Sequence, residues 1–120
     1  MLAQKVRMTQ IFTDDGRAIA GTILSAGPIT VTQVKTKDSK DGYSAVQVGY
    51  GAQKASRLSK PVQGHLKGKS FATIQEFRTE AGDLALGSEI KADVFAAGDE
   101  VQVSGTVKGR GFAGGVKRHG

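Results

Sequence analysis

The sequence contains no cysteine and no long apolar run, and these two absences exclude several classes of protein. Without cysteine the chain cannot form disulfides, thiolate metal sites or a thiol nucleophile, so we expect a cytosolic protein. The N-terminal stretch reaches Lys5 and Arg7 before any long apolar segment, and later apolar runs are short. We therefore expect neither a secretory signal peptide nor a membrane-spanning helix, and no membrane partner.

Groups suited to catalysis are also scarce. His65 and His119 are the only histidines, and neither has a carboxylate at the spacing of a zinc site or a catalytic triad. The adjacent acids at 14–15 are typical of a turn, and those at 99–100 of a polar lead into a strand. We therefore predict no metal, no cofactor and no enzymatic activity.

Glycine and positive charge are abundant instead. The 120 residues include 17 glycines, about twice the usual share of ~7%, which implies many tight turns. The net charge of +6 divides into +2 over residues 1–53, +5 over 54–78, −5 over 79–100 and +4 over 101–120. Two basic segments around an acidic one favour a surface that faces a polyanion and another that faces solvent or protein.

Alternating apolar residues predict an all-β protein. The pattern is clearest at 101–107 (VQVSGTV), and it recurs at 43–50 and 29–37. In the last of these Val34 falls on the opposite face from Ile29 and Val31, so either a bulge shifts the register or both faces are covered. Turn pairs at 15–16 and 41–42, each Asp-Gly, separate the strands. Such short strands favour a small barrel or sandwich.

Three other segments give weaker signals. Residues 71–78 fit both helix and strand spacing, and we favour a strand because the segment is short. Residues 89–100 could form about two helical turns that stop at Gly98. Residues 52–70 show no sustained period, so we predict a long basic loop, a feature that is uncommon in compact domains unless it is functional or disordered.

The final stretch, VKGRGFAGGVKRHG at 107–120, contains a literal GxGxxG. A dinucleotide site would also need a helix within the motif and an acidic residue about 20 positions on, and the six residues after Gly114 supply neither. "RGFA" also matches the start of an RNA-recognition octamer, but the further aromatics of that motif are missing. Two readings remain open from composition: an arm that contacts phosphates, or a flexible solvated tail.

The basic residues of these two segments are the candidates for contact with RNA. In 54–69 cations alternate with serine and glutamine donors, as phosphate contact requires. A single charged run is most often a solvated face, but two runs nearly free of acids favour one shared polyanion. The candidates are Lys54, Arg57, Lys60, His65, Lys67, Lys69, Lys108, Arg110, Lys117, Arg118 and His119.

Several strings, in order, give the chain a family resemblance: MTQIF, GPITVTQVKT, DGYSAVQVGYG, RLSKPVQGHL and GDEVQVSGTVKGRGFAGGVKRHG. They closely resemble the N-terminal half of the ribosomal protein L-three family of the bacterial large subunit. The resemblance implies a six-stranded barrel of the translation-protein type over 1–107, with the basic loop 52–70, followed by the root of a longer arm at 108–120. It also implies a structural protein of the cytoplasmic ribosome that binds large-subunit rRNA, touches neighbouring ribosomal proteins and supports early assembly.

The resemblance has two departures. Family members usually carry glycine where this chain has Arg7, and they normally continue into strands that complete the barrel. The chain would then be a fragment or a short form, and its barrel would be incomplete. An alternative is a stand-alone β-barrel interaction module with little specific RNA binding, whose acidic segment 79–100 faces a protein partner and whose open sheet edges pair in a homodimer.

Overall fold

The computed structural model describes residues 1–120 and consists of two antiparallel sheets with short helices. One sheet pairs β1 with β2, and the other has the order β5-β4-β3-β6. The strands are β1 (Gln4–Phe12), β2 (Ala18–Ser25), β3 (Ile29–Lys35), β4 (Ala45–Ala52), β5 (Phe71–Phe77) and β6 (Glu89–Ile90). The helices are α1 (Lys60–Leu66) and α2 (Gly115–His119), with single 3-10 turns at Ala55–Arg57 and Ala92–Val94.

The predicted all-β class is confirmed, but the sheets do not close into a barrel. The chain is also extended: its radius of gyration is 18.9 Å, against about 14 Å for a compact domain of this length. Neither helix has the length or the apolar content that crossing a membrane would need.

The two Asp-Gly pairs form turns, as predicted. Gly16 has φ +78° and its N–H donates to the Thr13 carbonyl at 2.9 Å, between β1 and β2. Gly42 has φ +73° and donates to Ser39 at 3.1 Å, between β3 and β4. Both positions need the left-handed backbone that glycine adopts without strain.

A bulge in β3 explains its broken alternation. The register of β3 against β4 shifts between Val31 and Gln33. Val31 is buried, and Val34 packs against the same cluster in spite of the odd spacing between them. Of the two alternatives left open by the sequence, the shifted register is the one observed.

The core is small and lies on one face of the larger sheet. Only 7 of 120 residues are buried, and the central cluster consists of Ile29, Val31, Val46 and Val48. Partly buried Leu84 and Ile90, from the acidic segment, pack against it. The β1–β2 hairpin contributes nothing comparable, since apolar side chains such as Phe12 remain mostly exposed.

The predicted strand at 101–107 is wrong. Residues 101–107 form no strand and pair with no other segment, and Val101, Val103 and Val107 are 60–88% exposed. Alternating residues favour the extended conformation, but a strand also needs a neighbour to satisfy its N–H and C=O groups. The alternation therefore indicated a tendency to form a strand, but it could not show whether a neighbouring strand would be present.

Two further predictions need correction. The supposed loop 52–70 contains α1, which begins with Pro61 in its first turn and buries a single side chain, Leu66. Because only one residue in these two turns is buried, the sequence shows no helical repeat of apolar residues. In 89–100 pairing with β3 draws Glu89–Ile90 into a strand, so only the 3-10 turn Ala92–Val94 is helical. The strand favoured at 71–78 is confirmed as β5.

A polar cluster joins the ends of β3 and β5. Lys35 Nζ lies 2.8 Å from Glu76 Oε2 and donates to the Tyr43 hydroxyl at 3.0 Å, and that hydroxyl donates to Glu76 Oε1 at 2.6 Å. The Arg78 guanidinium lies 4.9 Å from the centre of the Tyr43 ring, within cation–π range. The hydrogen bonds from Lys35 and Tyr43 lower the pKa of Glu76 below its ordinary 4.5. The hydrogen bonds that Lys35 forms with Glu76 and Tyr43 raise the pKa of Lys35.

We expect this cluster to make stability pH-dependent at the acid end. The pKa of Glu76 is lower in the folded state than in the unfolded state. The stability that Glu76 contributes is therefore complete above its unfolded-state pKa and is lost as the pH falls through its folded-state pKa. The pKa of Lys35 is raised in the folded state, so the stability that Lys35 contributes is lost only as the pH rises into the alkaline range. Urea unfolding of Glu76→Gln should show lower stability than wild type at pH 7 and a shrinking difference below pH 4.5. Glu80→Gln, which changes an unpaired exposed acid, is the control, and a pH-independent gap would contradict this account.

Two glycine-to-alanine substitutions should have opposite effects. A Cβ at Gly49 would lie 2.4 Å from the Phe71 ring on the neighbouring strand, so Gly49→Ala should cost about 1–3 kcal/mol of folding free energy through overpacking. A Cβ at Gly64 in α1 meets nothing within 4 Å, so Gly64→Ala should stabilise by about 0.5–1 kcal/mol. Chemical denaturation measures both, and a Gly49→Ala variant as stable as wild type would show that the packing of Phe71 over Gly49 is misassigned.

Candidate nucleic-acid interface

Nearly all basic side chains lack an acidic partner within the protein. The sequence has 17 lysines and arginines, yet both salt bridges in the structure involve Lys35, with Asp41 and Glu76. All eleven candidate residues at 54–69 and 108–119 are exposed. Their charges are therefore available to an external polyanion.

One glutamine connects the two halves of the first basic segment, residues 54–69, to each other. Gln63, in the middle of α1, donates from Nε2 to the carbonyl oxygens of Ala55 and Leu58, both at 2.7 Å. These bonds fold the preceding 3-10 turn back onto the helix. The turn carries Arg57 and the helix begins at Lys60, so a short piece of chain presents several cations from a fixed backbone.

His65 connects α1 to the sheet. Its Nε2 lies 2.7 Å from Oε1 of Gln47 in β4. The same oxygen also accepts a hydrogen bond from the Thr32 hydroxyl at 3.0 Å. Because an amide oxygen can only accept a hydrogen bond, Nε2 of His65 must carry the proton. The sequence placed His65 among RNA contacts, whereas the structure gives it an anchoring role and leaves Nδ1 for any ligand.

Lys67 and Lys69 follow the helix beside an open groove. Lys67 ends α1 in the left-handed conformation, with φ +49°, and is the one non-glycine residue with positive φ. The groove has a volume of about 680 Å³, and its walls come from β3, from the end of α1 and from residues 84–87. Lys69 extends across it, with Nζ 3.6 Å from where a Cβ of Gly87 would lie.

The second basic segment projects away from the sheets. Every hydrogen bond made by residues 96–120 stays within that stretch, and α2 buries no residue. No hydrogen bond or salt bridge connects it to residues 54–69. The structure therefore brings Lys117, Arg118 and His119 together on one short helix, but it does not join the two basic segments into one site.

Two features at these surfaces were missed by sequence reasoning. Phe112 in the arm is 100% exposed, although the sequence analysis found no aromatic platform there. The Lys35, Tyr43 and Glu76 cluster removes one cation from the free set, and its members lie too far apart in sequence to signal it. The one available sign of the first feature was a single phenylalanine in a glycine-rich stretch.

A small antiparallel β protein with two exposed, unpaired basic segments has the features expected of a nucleic-acid-binding protein. Compared with known proteins, the chain matches no family model. It is similar over its full length to curated proteins named large ribosomal subunit protein uL3. It is 51% identical to that of Pelotomaculum thermopropionicum, 49% to that of Carboxydothermus hydrogenoformans and 48% to that of Herpetosiphon aurantiacus.

The resemblance to the N-terminal part of the ribosomal protein L-three family, now named uL3, is thus confirmed. The chain spans 58–59% of the length of these three relatives. Their shared name describes a component of the large ribosomal subunit, not an enzyme, in agreement with the predicted lack of enzymatic activity.

We expect Gln63→Ala to loosen the first basic segment without changing its charge. Losing two hydrogen bonds should cost about 1–2 kcal/mol of local stability, which corresponds to roughly 5–30-fold faster amide exchange. Hydrogen exchange at Arg57, Leu58 and Gln63 is the measurement. Gln75→Ala, on the exposed surface of β5, is the matched control and should leave those amides unchanged. Equal exchange in both variants would mean that Gln63 does not hold the turn.

Proposed function

We propose that this chain is a structural, RNA-binding part of the large ribosomal subunit, without catalytic activity, that acts in the cytoplasm. The observation that carries the proposal is the full-length similarity to uL3 proteins. The unpaired cations at both basic segments supply the physical reason. Large-subunit rRNA is the partner, other ribosomal proteins are its neighbours, and early subunit assembly is the process it supports.

Binding would rest on phosphate neutralisation by the two segments. Lys54, Arg57, Lys60, Lys67 and Lys69 are displayed on a backbone fixed by Gln63 and His65, so their spacing is set before RNA arrives. Each neutralised phosphate releases condensed counterions, which makes affinity fall as salt rises. Specificity would come from the shape of the RNA, because phosphate contacts carry no sequence information.

The arm would act differently, by ordering on RNA. Residues 108–120 have no tie to the sheets, and the glycines among them leave the backbone open, with nothing within 4 Å of a Cβ at Gly109, Gly114 or Gly115. Such a backbone can approach phosphates closely. We therefore divide the chain into a scaffold at 1–107 and an arm at 108–120.

We also propose that the scaffold belongs to a six-stranded barrel in the longer protein. The support is the exposed apolar surface of the β1–β2 hairpin, where Met8, Ile11 and Phe12 are 57–73% exposed, since a large exposed apolar surface calls for a cover. The comparisons give no support to a homodimer, and we do not propose one.

Replacing Arg110, Lys117 and Arg118 together by alanine should weaken binding to deproteinised bacterial large-subunit rRNA. If each cation contacts one phosphate, the slope of log K against log salt should become shallower by about 2–3, at roughly 0.7–0.9 per contact. Filter binding or fluorescence anisotropy across a salt series measures both quantities.

The matched control is alanine at Lys37, Lys40 and Lys91, three exposed lysines outside both basic segments whose loss changes net charge equally. Equal losses in the two triple variants would show attraction by total charge alone. Unchanged binding in the arm variant would remove the arm from the RNA interface.

A further inference from the structure

Phe112 is the least protected large apolar side chain in the protein. It is 100% exposed, compared with 88% for Val107 and Val116 in the same arm. A phenylalanine ring that stays in water is unfavourable, because its apolar surface remains hydrated and is not buried against a partner. No contact within the chain accounts for the ring at this position.

The surroundings of Phe112 fit one kind of partner. No acidic residue occurs in 101–120, and Lys108 and Arg110 lie just before the ring while Lys117 follows it. None of these cations forms a salt bridge. Gly111 next to the ring has φ +73°, and a Cβ there would meet nothing within 4 Å. A flat ring with open backbone and unpaired cations nearby is the arrangement by which proteins bind unpaired nucleobases.

We propose that Phe112 stacks on an unpaired nucleobase of the RNA bound by the arm. The inference rests on the proposed function and adds the kind of RNA that the arm takes: a single-stranded loop, bulge or end, not a continuous duplex. The cations bind phosphates on either side of the base, while the Phe112 ring stacks on one face of the base. Stacking of this kind tolerates any base, because every base has a π face.

Phe112→Ala tests the proposal, with Val116→Ala as the matched control. Stacking contributes about 1–3 kcal/mol per base, so Phe112→Ala should weaken binding to deproteinised large-subunit rRNA about 5- to 150-fold. The salt slope should stay unchanged because no charge is lost. Val116→Ala removes an apolar side chain of similar exposure that cannot stack, and it should change affinity less than twofold. Binding to a 20-base-pair RNA duplex, whose bases are already stacked, should not respond to Phe112→Ala.

A tryptophan substitution gives a direct readout. The chain contains no tryptophan, so Phe112→Trp introduces a single indole, whose fluorescence should be quenched when saturating rRNA is added. Its affinity should equal or exceed that of wild type, since tryptophan offers a larger π face. Unquenched fluorescence, or equal losses in Phe112→Ala and Val116→Ala, would overturn the stacking proposal.

The two levels of the account can fail separately. If the triple variant at Arg110, Lys117 and Arg118 weakens rRNA binding but Phe112→Ala does not, the arm binds RNA and stacking is wrong. If neither variant weakens binding, the arm does not bind RNA and both proposals for it are wrong. Misfolding is not expected to confuse the result, because Phe112 is fully exposed, and unchanged circular dichroism would verify this.

Discussion

The pairing of β4 with strands on both sides is the interaction on which the rest of the structure depends. β4 places Val46 and Val48 in the core, and Gly49 leaves room for the Phe71 ring of β5. Its Gln47 accepts His65 and so fixes α1, and the hydroxyl of its Tyr50 donates to the Ser25 carbonyl of β2 at 3.1 Å. Core, basic helix and N-terminal hairpin are thus all connected through one strand. With so few buried residues, little else could hold the first basic segment in a fixed position.

The distribution of charge along the chain determines which kind of partner this scaffold favours. From residue 54 onward, acidic and basic residues mostly occupy different stretches of the chain. Few of them neutralise one another, and the salt bridges that do form hold Lys35 at one end of the sheet. Ala81, Leu84 and Ile90 of the acidic segment 79–100 pack against the core, while the carboxylates of the segment are exposed. The free chain therefore carries two groups of like charges that repel among themselves, an arrangement favoured by association with a polyanion and screened by salt.

The sequence predicted local features better than pairing. The Asp-Gly turns and the strand favoured at 71–78 follow from residues next to one another, and both were confirmed. The broken alternation of β3 was explained by a bulge, which is one of the two alternatives that the sequence left open. The strand expected at 101–107 failed because pairing depends on a neighbour that alternation cannot supply, and α1 was missed because Leu66 alone is buried in it. At the candidate site the sequence identified the cations but not their supports: Gln47 is 18 residues from His65, and Glu76 is 33 from Tyr43. Such contacts exist only once the sheet has formed.

The decisive measurement is the salt dependence of binding between the unaltered chain and deproteinised bacterial large-subunit rRNA. The cations that we assign to RNA are all exposed and form no salt bridge, so we expect a steep negative slope of log K against log salt, equal to several phosphate contacts at roughly 0.7–0.9 each. We also expect tighter binding to this RNA than to a simple duplex. A flat salt dependence, or equal affinity for any RNA, would contradict the claim that two separate basic segments anchor this chain to the large subunit.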